Sequence, residues 1–449
     1  FGMSLELEAQ VLILQKLRQS RKRRQENEQQ QRKKRRWAIR PLHGNRDRDS
    51  EFARIVKPMR VIDPEAHKRM FRMTRDNFDW LLNKIMPHIT HAPTSAQPIK
   101  PDMRLAYTLR CLTSGSNFKS VAESYCLGDS TGPGVVYEVC RAICNVLEPI
   151  YLPELTEDII NASIDEFERK WQFPGCWAAM DGKHCPIKKP ANSGSMNSNY
   201  KGFFSVVLLA LVDANYRYLY ARVGDYGKDS DGRIFSKSHI GQRLANGTVP
   251  LPAPRPLRGS EKTTPPVIVA DEAFPLKTYL MRNFSRYALG PKKGDDRKRN
   301  YNYRVSRSRR TSENCFGITL ARFGALKGLD CDEDHAILII KTIVVLHNWL
   351  MSLDRHLPAA ERYSSPQMPD ADNPDGTISL GDWRKECNGD GLRRFRFDRS
   401  NNFSADAAEI RDNLADYFVS DVGSLPWQWR AINHGREIDI TTGDDRPSI

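Results

Sequence analysis

The chain has 449 residues, 39% hydrophobic and 28% charged, which excludes a wholly disordered protein and leaves room for two or three folded units. Its nine cysteines, an odd number with no Cys-x-x-Cys pair, argue against a disulfide framework or a zinc finger and fit a reducing compartment. The net charge of +14 points to a polyanionic partner.

That charge is concentrated in two places. Residues 16–40 carry twelve Lys/Arg against Glu26 and Glu28, and residues 292–310 carry nine against Asp295 and Asp296. The first lies in a polar, Gln- and Arg-rich arm of about 60 residues with an apolar patch at 11–14, expected to be mobile or to order on binding. Within it Arg21, Lys22, Arg23 and Arg24 form one cluster, and Arg32, Lys33, Lys34, Arg35 and Arg36 another. Their spacing reads as a nuclear-import signal, a DNA-contacting arm, or both, against the plainer reading of a solvated charge run.

A helical segment follows. Thr74 is the expected N-cap of a helix whose buried face is Phe78, Leu81, Leu82, Ile85, Met86 and Ile89. Pro98 and Pro101 open a second helix through Leu105, Leu109 and Leu112. Residues 118–147 read as a short helix, a turn at Gly128 and a longer helix, the spacing of a helix-turn-helix, although small helical bundles share it. Cys140 and Cys144 are expected to be buried helix residues.

From Trp177 the pattern changes to strands. Residues 177–187 form the first, and 203–224 a hairpin turning at Asp213-Ala214-Asn215. A helix near Ser230 carries Ile234, Phe235 and Leu244, and Asp231 is expected to cap it. Residues 265–274 make a short buried strand ending in acids. Helices are expected over 306–326 and 332–353. The longest apolar run, 336–346, is broken by Lys341 and falls short of a membrane span; no secretory signal is visible. Residues 355–400, rich in Pro, Asp and Gly, read as a loose insert or linker, and 406–422 as an amphipathic helix with Ile410, Leu414, Tyr417 and Phe418 on its docking face. The order strand, hairpin, helix, strand, helix is that of an RNase H-like α/β core.

Asp181 and Asp271 each close an apolar strand, so each sits at the rim of the sheet. Were the strands neighbours, two carboxylates would share a small volume and repel unless a cation bridged them. Glu313, on a helix whose preceding turn holds Arg307, Arg309 and Arg310, is the third acid, beside cations suited to a phosphate backbone. Three acids suit a pair of Mg²⁺ or Mn²⁺ ions about 3.5–4 Å apart, which stabilise the attacking and leaving oxygens of phosphoryl transfer. His184 and Cys185 lack metal-site spacing and read as packing; Lys183, Lys188, Lys189 and Lys201 are exposed lysines or phosphate contacts.

Residues 180–238, 267–282 and 302–318, with HNWL at 347–350 and LPWQ at 425–428, closely resemble the PIF/Harbinger transposases, a DDE endonuclease superfamily, over about 63–428. The resemblance implies an RNase H-like (DDE integrase/transposase) catalytic core at 161–355 behind an all-α, helix-turn-helix-like domain at 61–160. A basic arm (1–60) precedes these, and a tail with linker and docking helix (356–449) follows. It implies a catalytic, metal-holding triad at Asp181, Asp271 and Glu313 that uses two Mg²⁺ or Mn²⁺ ions. It further implies cleavage of transposon ends and joining of the 3′-OH to target DNA. The expected DNA contacts are the two arm clusters with Arg304, Arg307, Arg309 and Arg310. Expected partners are double-stranded DNA, a Myb/SANT-like DNA-binding protein and a second copy of the chain. The expected place of work is the nucleus, with cytoplasmic residence when the partner is absent. The competing reading is a domesticated DNA-binding or adaptor protein without catalysis. One departure from the family is Gly132-Pro133-Gly134 at the start of the expected recognition helix, since two glycines weaken a helix.

Overall fold

The computed structural model describes residues 40–92, 98–188, 204–226, 231–285, 287–289, 295–373, 375–387 and 403–434. The arm clusters at 21–24 and 32–36, together with Lys189 and Lys201, lie outside the described residues, as does the Asp231 side chain.

Short helical turns between Pro41 and Phe71 lead into α1 (Arg75–Ile89), α2 (Pro101–Ser114), α3 (Phe118–Ser124) and α4 (Thr131–Tyr151). Thr74 caps α1 as expected, its hydroxyl accepting from the Asn77 amide at 3.2 Å. Phe78, Leu81, Ile85 and Ile89 are buried, whereas Met86 faces solvent. The helix α4 is the centre of this layer, packed on α1, α2 and α3. Gly132 is explained by that packing, because a Cβ there would lie 2.5 Å from the Tyr107 hydroxyl and 2.8 Å from Ala122 Cβ. Here close approach outweighs the roughly 1 kcal/mol helix penalty of glycine.

Helix α5 (Glu157–Trp171) then packs on the first strand of a mixed sheet. Among the described residues this sheet has five strands: β1 (Cys176–Pro186), β2 (Ser205–Val212), β3 (Tyr218–Tyr226), β4 (Val267–Val269) and β5 (Leu280–Met281), in the spatial order β3-β2-β1-β4-β5. The first three pair antiparallel, and β4 joins β1, and β5 joins β4, in parallel. The expected hairpin turn forms, with the Asp213 carboxylate accepting from the amides of Asn215 and Arg217, both at 2.8 Å.

Alternation divides the sheet into two faces. Ala178 and Met180, Val207, Leu209 and Leu211, and Ile268 and Ala270 pack with Ile160 and Ile164 of α5. They share that cluster with α6 (Asp231–Lys237) and α7 (His239–Ala245). The single helix expected near Ser230 is thus two, separated where the Ser238 hydroxyl accepts from the Gly241 amide at 3.0 Å. The opposite face meets α8 (Asp296–Arg322) and α9 (Glu333–Leu353). The stretch Glu333–His356 is long and apolar enough to cross a membrane, contrary to the expectation, but 67% of its most apolar window is buried in the fold, as in a core helix. It lies between α4 and β3.

Residues 354–373 and 375–387 are folded rather than loose. Tyr363, Met368 and Cys387 join the main core, and α10 (Trp383–Cys387) packs on α8. Beyond it α11 (Ala405–Val419) docks on α8 through Leu414 and Phe418, with Ile410 and Tyr417 at the margin, as expected. The helix α12 (Gln428–His434) packs there too. All nine cysteines are free thiols, and Cys140 and Cys144 are buried on α4.

Candidate active site

The strand register brings two acids together. Ala179 of β1 is the partner of Val269 of β4 in a parallel pair, so Asp181 and Asp271, each two residues further on, stand at one level on adjacent chains. Neighbouring strands are about 4.8 Å apart. Shared parity with Ala179 and Val269 turns both acids to the face covered by α8. Asp181 does not close its strand as expected. β1 continues to Pro186 because its pairing with β2 runs on to Ser205, whereas β4 stops at Val269. The site lies where the short strand ends beside the long one.

Asp181 is 5% exposed; its Oδ1 accepts from the Gly182 amide at 2.9 Å, and its Oδ2 lies 2.8 Å from Lys183 Nζ. Asp271 accepts from the Ala273 amide at 2.9 Å. Burial pushes the Asp271 carboxyl above the ordinary carboxylate range; Asp181 pushes the same way, and Arg309 and Lys183 oppose it. Glu313 reaches the same region from α8, its Oε1 3.5 Å from Arg309 Nη2 one helical turn earlier. Burial works against the Arg309 charge, but Asp271, Glu313, Asp181 and Glu272 outweigh it and raise its pKa above the ordinary value. The guanidinium therefore sits within the field of all three acids, and its buried Nε finds no acceptor.

The donor set is that of a hard-cation site, namely carboxylate oxygens at a buried position where anions repel. In this conformation protein cations occupy that role. Among the described residues no three His, Cys, Asp or Glu side chains converge closely enough to hold one ion.

The other expected site residues have different surroundings. Arg304, Arg307 and Arg310 are buried and bound within the protein, which corrects the expectation that they face a phosphate backbone. Arg304 donates to the carbonyls of Gly423, at 3.0 Å, and Gln172 and stacks 4.3 Å from the Phe418 ring. Arg307 and Arg310 share Asp372, at 2.6 and 2.5 Å. The cause is the docking of the C-terminal segment, which encloses α8. His184, hydrogen-bonded to Ser205 at 2.9 Å, and Cys185 are buried as expected.

Lys183, expected to be exposed or to touch phosphate, and Arg309, expected to contact DNA, are instead buried beside the acids. Both were signalled by spacing, since residues two apart on a strand share a face and residues four apart on a helix are neighbours. Sequence reasoning also missed the clamp on the turn after Glu313. Asn314 Oδ1 accepts from the Asp370 amide at 2.9 Å and Trp383 Nε1 at 3.0 Å, and the Trp383 ring lies so close to Gly317 that a Cβ would come within 2.2 Å of it.

Residues 180–348 match the family described as DDE superfamily endonuclease. Protein ALP1-like of Arabidopsis thaliana is 26% identical over 237 residues, which cover 49% of this chain and 55% of that protein. The match thus spans about half the length of that relative. No solved structure matches the chain.

Proposed function

We propose, from the premise that residues 180–348 of this chain belong to the DDE superfamily endonucleases, that the protein is a metal-dependent DNA-cutting enzyme of Harbinger transposase descent, with Asp181, Asp271 and Glu313 as its catalytic acids. The observation that carries this reading is the register of Ala179 with Val269, which sets two buried aspartates level on adjacent parallel strands beneath the helix bearing the glutamate. Three antiparallel strands extended by two parallel ones, with helices on both faces, support an RNase H-like core.

Asp181 and Asp271 would hold the shared cation and Glu313 a second, Mg²⁺ or Mn²⁺ in each case. When bound, such a pair supplies Lewis acidity to the attacking and leaving oxygens of an in-line displacement at phosphorus. The chain's own contribution is to orient three carboxylates on rigid elements and to set Arg309 beside them. Cutting at transposon ends, followed by attack of the freed 3′-OH on target DNA, is the reaction this arrangement serves.

For DNA contact we assign the arm clusters at 21–24 and 32–36. The helix α4 is a poor candidate for base reading. Its exposed residues are Thr131, Gly134, Arg141, Asn145, Pro149 and Ile150, and Arg141 is the one cation among them. Pairing two DNA ends requires two active sites, hence a second copy of the chain. A Myb/SANT-like protein is the proposed partner for end recognition and nuclear import.

The test is cleavage of candidate end DNA in Mg²⁺ or Mn²⁺. Asp181→Asn and Asp271→Asn are expected to lower cleavage at least about a thousandfold while DNA affinity stays within about twofold, since metal-held transition-state charge is what each removes. Equal cleavage by mutant and parent rules the reading out. The second reading, a domesticated DNA-binding or adaptor protein, is favoured by the protein cations at the acid cluster. It predicts no cleavage by the parent under any metal.

A further inference from the structure

We propose that Lys183 and Arg309 are built-in counter-ions of the acid cluster, and that a divalent cation binding at Asp181 must displace the Lys183 ammonium. The inference rests on the reading of Asp181, Asp271 and Glu313 as metal-holding acids. It concerns what occupies their charge before metal arrives.

Lys183 is 6% exposed, an unusual burial for a lysine. It shares a strand face with Asp181, and its Nζ lies 2.8 Å from the Oδ2 atom and 5.5 Å from the centre of the Phe316 ring on α8. Phe316 thus walls in the ammonium from the side opposite the strand. Arg309 balances the other acids from α8, 3.5 Å from Glu313. Two buried aspartates side by side need a positive charge to stay ionised, and these two side chains provide it without metal.

The two cations differ in what they can do next. Arg309 is a planar fork enclosed by helix and sheet, suited to staying in place. Lys183 is a compact charge on a flexible four-carbon stem, so it can swing off one carboxylate oxygen. A dication taking the same oxygen cannot tolerate an ammonium in hydrogen-bond range, because like charges at that distance in a buried site repel strongly. Metal binding and the Lys183–Asp181 pair are therefore mutually exclusive, and the lysine lowers metal affinity in exchange for a stable metal-free fold.

The experiment titrates Mn²⁺ into EDTA-stripped full-length protein and follows the loss of the free-ion electron paramagnetic resonance signal. Lys183→Met is expected to bind Mn²⁺ at least about tenfold more tightly than the parent. Its melting temperature without metal should fall below the parent's, and the gap should close at saturating Mn²⁺. Unchanged or weaker Mn²⁺ binding by Lys183→Met overturns the proposal. Should that variant not fold, Lys183→Gln, which keeps a polar tip, is titrated with the same expectation. Asp181→Asn separates the two levels of the argument. If the parent shows no Asp181-dependent Mn²⁺ binding, the reading of the acids fails; if it does and the Lys183 variants match it, only the counter-ion proposal fails.

Discussion

His347, which opens the HNWL stretch at 347–350, has its place in the packing of the core. It is fully buried, its Nε2 donates to the Tyr216 carbonyl at 2.8 Å, and its Nδ1 lies 3.1 Å from both the Tyr363 and Thr319 hydroxyls. Nε2 holding the proton fits these partners, with Nδ1 free to accept from a hydroxyl. Burial lowers its pKa to about 4. Above the unfolded value of about 6.5 both states are neutral and the group adds no pH dependence; as pH falls towards 4, the unfolded chain takes up a proton that the folded one refuses, and stability is lost. Between pH 7 and pH 5 this costs about 2 kcal/mol. Urea unfolding of His347→Asn should show a lower stability at pH 7 but a loss on acidification smaller than the parent's by about that amount. Parallel pH profiles would contradict this. Its neighbour Asn348 is equally structural, its amide bonding both the N–H and the carbonyl of Tyr218 at 2.8 Å.

At the scale of the element, α8 is a polar helix in a buried position. Arg304, Arg307 and Arg310 are solvated by distant parts of the chain rather than by water. Asp372, 65 residues beyond Arg307 in sequence, accepts from both Arg307 and Arg310; burial disfavours its charge, but the two guanidiniums outweigh that and hold its carboxyl below the ordinary range. Removing one partner of such a buried group leaves uncompensated charge, worth roughly 3–5 kcal/mol. Asp372→Asn should therefore destabilise the protein by about that much in denaturant titrations, whereas loss of an exposed pair such as Lys385–Asp382 should cost far less. A loss below 1 kcal/mol at Asp372 would mean that the C-terminal segment does not clamp α8 in solution.

For the whole molecule, the main core draws its residues from as far apart as Phe52 and Cys387. The helical layer and the sheet layer meet through α4 and α9, so the boundary expected at residue 160 divides sequence more than it divides packing. An apolar face as large as that of α4, with Val136, Val139, Cys140 and Ile143 buried, needs its partner to stay out of water. Residues 61–160 expressed alone should give no cooperative thermal transition, while the full chain should unfold with both layers lost together. A sharp transition in the isolated fragment would establish it as an independent domain.

Local chemistry is legible in the amino-acid sequence alone. Strand alternation marks the buried runs around Asp181 and Asp271, helix periodicity and caps mark α1 and α11, and the order of elements foretells a mixed α/β protein. Such signals are legible because they arise between residues a few positions apart. The strand register that levels the two acids, the burial of Arg304, Arg307 and Arg310, and the folding of 354–373 and 375–387 depend instead on contacts across long sequence separations. A basic run such as 304–310 looks the same in sequence whether phosphate or carboxylate will face it, because its charge is local while its compensation is not.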